Sequence, residues 1–198
     1  MDVRDLIAHF SVAEIVPIDV QDDVVVLLQQ HTNFDVFFWP MPDEVIDVGI
    51  YRGMMVQWED IPFGDEQIRT HISVQYANSL PTSWQRLICC KELIHILDAI
   101  EHRVSNELAL NRLIEKIVLP PDMVDVADGA RVWSDRLAIW KALAILFPWA
   151  TRELYLAPYQ DDKISLAEIA DEVDLPIEYV ALVMDDSWAE AYHNISKF

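Results

Sequence analysis

Lys91, Glu92 and His95 stand close together in a stretch that is otherwise apolar, Leu87-Ile88-Cys89-Cys90-Lys91-Glu92-Leu93-Ile94-His95-Ile96-Leu97-Asp98. Leu87, Ile88, Lys91, Ile94, His95 and Asp98 recur at steps of three and four, which predicts a helix carrying all of them on one broad face. An ammonium and an imidazole one turn apart on such a face, with a carboxylate between them in sequence, are costly to bury without partners. Side chains at i and i+4 can converge on one ion, or can pair with charges brought by another element. The chemistry to look for is therefore a metal site, or an internal ion pair in place of the metal.

Composition narrows the classes. The chain has 198 residues, enough for one domain with a real core, and 53% of them are hydrophobic, which excludes a disordered chain. Asp and Glu number 34 against 14 Lys and Arg, a formal net charge of −20. A field of that sign repels phosphate backbones, so nucleic acid is not an expected partner, whereas a basic protein or peptide is. No apolar run approaches the roughly 18 residues of a membrane span, and Met1-Asp2-Val3-Arg4-Asp5 has no basic-then-apolar leader pattern. A cytoplasmic location without membrane association is expected. Cys89 and Cys90 are adjacent and point about 100° apart on a helix, so they read as core-filling thiols rather than a bridge.

The elements that must position these groups follow from periodicity and punctuation. Residues 2–14 read as a short helix or arm, and Pro17-Ile18-Asp19 as a helix start with Asp19 as cap. Phe34 to Trp39 reads as a strand ended by Pro40-Met41-Pro42. Val45 to Tyr51 and Met54 to Trp58 read as two further strands around a tight Arg52-Gly53 hairpin. Arg69 to Tyr76 alternates like a half-buried strand, and Thr82 or Ser83 should cap the helix that follows. Beyond it, Ser105 to Ile117, Trp133 to Phe147, Thr151 to Leu156 and Ser187 to Asn194 read as helices, and Ile164 to Pro176 with Ile177 to Met184 as two short helices around a turn. Trp133, Trp140, Trp149 and Trp188 are expected in the core. The segregation of strands and helices gives α+β: mainly helical, with a small antiparallel sheet and a C-terminal helix pair.

Three blocks in this order resemble the ImmA/IrrE-type zinc metallopeptidase domain, a gluzincin-like family. Trp84 to His95 is similar to that family's Arg-Phe-x-x-Ala-His-Glu-Leu-Gly-His segment, with lysine in the first histidine's place. Asp135-Arg136-Leu137-Ala138 through Phe147-Pro148 is similar to its downstream acid-bearing helix, and Ile164 to Met184 to its trailing helix-turn-helix. The likeness spans about residues 17–185.

The resemblance implies a zincin-like fold, with a metallopeptidase-like domain over 17–160 and a helical subdomain over 161–198 packed on it as one compact unit. It also implies a regulatory protein or peptide, such as a transcriptional regulator, as substrate or partner. Carried over residue by residue, Glu92 is the general base, His95 a zinc ligand, Asp135 the third ligand shortened from glutamate, and Lys91 the first ligand's replacement. An ammonium has no lone pair and carries the wrong charge for a cation site. Two outcomes stay open. Either Zn²⁺ is absent or weakly held, with Lys91 bound to Asp135 and also reaching Glu92 or His95, or an atypical zinc peptidase works with Glu92 as base.

Asp98 and His102 continue the face from His95 and could complete an unconventional site. His71 lies in the strand before the motif, where the resemblance places a peptide-binding edge. The Ile164–Met184 pair is too acidic for phosphate contact, with Glu168, Asp171, Glu172, Asp174 and Glu178 against a single nearby Lys163.

Overall fold

The structure, a computed structural model, describes residues 1–46, 48, 51–61, 68–97 and 137–196. The helices expected over 105–117 and the start of that over 133–147 lie outside the described residues, as do Asp98, His102, Trp133 and Asp135. The fold is α+β.

Helix α1 (Val3–Phe10) opens on a reciprocal cap, the Asp2 carboxylate accepting from Arg4 and Asp5 while Asp5 answers the Asp2 amide. Asp19 does cap the next segment, its carboxylate accepting from the Gln21 and Asp22 amides. That segment is a π-helical turn, Val20–Val25, running into α2, Val26–Gln29. Consecutive β-branched valines crowd a regular helix at this point.

Strands β1 (Phe34–Met41), β2 (Gly53–Asp60) and β3 (Arg69–Ala77) form one sheet in the order β1-β3-β2. β2 pairs antiparallel with β3, but β1 pairs parallel with it, so the sheet is mixed rather than antiparallel. Val45 and Ile46 do not open the strand expected over 45–51, because the Pro42 carbonyl accepts from both their amides and winds the chain into a turn; Asp47, Gly49 and Ile50 lie outside the described residues. Ile46 is fully buried, and the Tyr51 hydroxyl donates to the Val45 carbonyl. Gly53 is consequently the first residue of β2 and no hairpin tip. β1 runs through Pro40 instead of ending there, which a strand bonded on one side tolerates.

Alternation assigns the two faces. Phe34, Val36, Phe38, Met55, Ile72 and Val74 face the core, while Asp35, Phe37, Trp39, Met54, Val56, Trp58, His71 and Ser73 face outward. Helix α3 (Thr82–Ile94) packs on β2 and β3 and ends in a 3-10 turn, His95–Leu97. Its N-cap is Pro81, and neither Thr82 nor Ser83 caps it: the helix already includes both, and Pro81 fixes the entry.

Residues 137–146 are helical (α4), followed by α5 (Trp149–Gln160), longer than expected and running through Pro158. Then come α6 (Leu166–Val173), α7 (Ile177–Met184) and α8 (Trp188–Ile195). Trp140 and Trp188 stack at 5.6 Å within the core. No helix among the described residues is long and apolar enough to cross a membrane.

Candidate functional site

Helix α3 is buried on nearly every side. Leu87, Ile88, Cys89, Cys90, Glu92, Leu93 and Ile94 are all buried, because the sheet covers one flank and the π-helical turn another. One amphipathic stripe is therefore replaced by an all-round buried helix, and its ionisable groups must find partners inside the protein. Both cysteines are free and buried, as packing residues should be. Burial pushes the Cys90 thiol up to about 12 and the Cys89 thiol higher still, so neither is poised as a thiolate.

Lys91 Nζ donates to Glu92 Oε1 at 2.9 Å, with only 11% and 6% of the two side chains exposed. His95 follows one turn later, buried, as the first residue of the 3-10 turn. Lys91, Glu92 and His95 are thus inside the protein, as their spacing on an apolar helix suggested.

Gly53 sets how closely the sheet approaches this pair. A Cβ there would stand 2.4 Å from Ile88 Cγ2, 2.9 Å from the Gln75 carbonyl and 3.7 Å from Glu92 Cγ. Only glycine lets β2 lie against α3 at this depth.

Three further residues cluster along α3, and the sequence reading missed them. The Arg52 guanidinium lies over the Trp84 ring, 4.0 Å from its centroid, and Trp84 meets Tyr179 edge-on at 5.3 Å. Burial raises the Tyr179 hydroxyl above its usual range, while the positive charges of Arg52 and Lys91 pull the other way. No helical or strand periodicity connects Arg52, Trp84 and Tyr179, since they come from a loop, α3 and α7.

Arg86, one turn before Cys90, fastens α3 to the C-terminal helices. It donates to the carbonyls of Val173 (2.9 Å), Asp174 and Ile18, with the Asp174 carboxylate at 3.4 Å. Arg152 does the same for the end of α7, donating through Nε to Val183 at 2.7 Å and through Nη2 to Asp185 at 3.3 Å. Both guanidiniums meet carbonyls at helix C-termini, Val173 and Asp174 for Arg86 and Val183 and Asp185 for Arg152, where a cation is most favourable.

His71 is not at an edge. It occupies central strand β3 on the outer sheet face, away from α3, because β1 and β2 flank that strand on both sides. Its Nε2 lies 3.0 Å from Asp60 Oδ1 and its Nδ1 3.5 Å from Asp35 Oδ2.

A zinc ion needs lone pairs, and the described residues offer too few around α3. Lys91 stands where a donor imidazole would, and the Glu92 oxygen nearest it already accepts from an ammonium. No three His, Cys, Asp or Glu side chains among the described residues are grouped to hold an ion. Asp135, Asp98 and His102, the other candidate ligands, lie outside the described residues.

Compared with family models, curated proteins and solved structures, the chain finds no match in any of the three.

Proposed function

We propose that this chain is a metallopeptidase-like protein that works by binding a regulatory protein or peptide, with the Lys91 ammonium in place of the catalytic ion. The observation that carries the reading is the 2.9 Å contact between two buried side chains, Lys91 and Glu92. A general base must accept a proton from an attacking water, and here the base is met by a protein cation instead. Burying a charge on α3 without a partner would be prohibitive, so lysine and glutamate support each other. The zincin-like reading of the α+β fold belongs to this proposal. Its support is the order of elements: the β3 strand, the motif helix, a later helix over 137–146, then a helix pair.

Zinc titration followed by calorimetry, together with peptidase assays on unfolded protein substrates, tests it. The expected result is no stoichiometric zinc and no zinc-dependent cleavage, with Lys91→His gaining zinc affinity. About one tightly held zinc per chain, with cleavage abolished by Glu92→Gln, would overturn the reading in favour of an active zinc peptidase.

A further inference from the structure

The outer face of the sheet carries a second set of groups that the α3 site does not use. Phe37, Trp39 and Trp58 are 41%, 55% and 43% exposed, an unusual display for three large aromatics on one small sheet. Trp58 stacks on His71 at 5.3 Å with ring planes 21° apart, and Phe37 lies 6.0 Å from His71 and 6.4 Å from Trp58. Ser73, in register with Phe37 on the same face, is only 4% exposed. Register explains the grouping: Asp35, His71 and Trp58 form one cross-strand row, and Phe37, Ser73 and Val56 the next.

Two carboxylates rim this cluster, Asp35 and Asp60, each about half exposed and each reaching the same imidazole. The Nε2 contact with Asp60 is a hydrogen bond, whereas Nδ1 makes none to Asp35. The Asp35 carboxylate therefore retains its capacity to accept from an incoming donor beside exposed aromatic faces. A guanidinium fits that combination, since it stacks flat on indole while donating to a carboxylate in its plane.

We propose that the outer face of β1-β3-β2 is the docking surface for an arginine-bearing basic segment of a partner protein, held by Trp39, Trp58, Asp35 and Asp60. Charge selects this occupant. The chain's net charge of −20 opposes a second copy of itself and nucleic acid alike, and favours a cationic protein segment. The proposal rests on the reading that the chain works by binding, but it concerns the sheet face opposite α3 and none of the Lys91 site.

Fluorescence anisotropy with a labelled peptide of alternating arginine and leucine tests it at low and high salt, against an equally long glutamate–leucine peptide. The arginine peptide should bind saturably, more weakly as salt rises, and the glutamate peptide should not. Trp39→Ala with Trp58→Ala should weaken binding about tenfold or more. Asp171→Asn with Glu190→Gln removes two negative charges from the C-terminal helices, away from the sheet face, and should change binding less than about twofold. Circular dichroism checks that each variant is folded.

Three results would overturn the docking surface. These are absence of saturable binding, undiminished binding by the tryptophan variant, or an equal loss in the Asp171/Glu190 variant, which would mean diffuse attraction to an acidic protein. Sedimentation showing a dimer that Trp39→Ala dissociates would assign the face to a second copy and overturn it too. If the protein proves to be a zinc peptidase yet the tryptophan variant loses the peptide, the proposed function fails and this surface stands. If zinc is absent and the variant binds normally, this surface alone fails.

Discussion

Lys91 meets Glu92 at 2.9 Å and His71 meets Asp60 at 3.0 Å, nearly the same distance in opposite surroundings. The first contact lies on a helix enclosed by sheet and helices, and both of its groups are buried almost completely. In the second, a mostly covered imidazole faces carboxylates that remain open to water. In an enclosed pair, removing the lysine leaves the Glu92 carboxylate in a medium that solvates it poorly. An open pair is screened, contributes little to stability, and can exchange its partner for an incoming one. Under the proposed docking surface, the same chemistry serves structure on one side of the sheet and recognition on the other.

The sharpest way to break this contrast is Lys91→Ala, which leaves the buried Glu92 carboxylate unmatched. It should cost about 3–5 kcal/mol in urea denaturation, and replacing both residues with apolar side chains of similar size should recover most of the loss. Arg86→Ala comes next. It strips donors from the Ile18, Val173 and Asp174 carbonyls and should cost about 3 kcal/mol by the same measurement. Gly53→Ala forces a methyl group into Ile88 and the Gln75 carbonyl and should lower stability by about 1–3 kcal/mol.

On the open side, Asp60→Asn should change stability by less than about 1 kcal/mol, and a loss as large as that of Lys91→Ala would erase the contrast. Thiol labelling sharpens the enclosed side further. The Cys90 thiol is pushed up to about 12 and that of Cys89 beyond it by burial, so at pH 8 both stay protonated in the folded state. A disulfide-exchange reagent should label neither until the protein is denatured, when both should react promptly.

Much of the helical framework was legible because it is written in short-range signals. Asp19 before a valine-rich turn marked a helix start, and Ser165 with Glu168 forms the reciprocal cap that opens α6. The sheet was less legible. Whether β1 runs parallel or antiparallel to β3 is a matter of tertiary pairing that strand composition does not carry, and the Pro42 carbonyl draws Val45 and Ile46 into a turn and away from the strand their composition favours. Lys91, Glu92 and His95 could be found from i, i+4 spacing on an apolar helix. Arg52 and Tyr179 could not, since they reach that neighbourhood only through tertiary packing. Gly53 looked like a turn residue, and its role in close packing against α3 is set by the helix it meets.

A double-mutant cycle on Lys91→Met and Glu92→Gln, read by urea denaturation of the two single variants and the double, tests most directly whether this ammonium and carboxylate depend on each other. The account requires a coupling of about 1.5–3 kcal/mol, with the double variant less destabilised than the sum of the singles. Additive losses, with coupling below about 0.3 kcal/mol, would contradict it and leave Lys91 without the role given to it here.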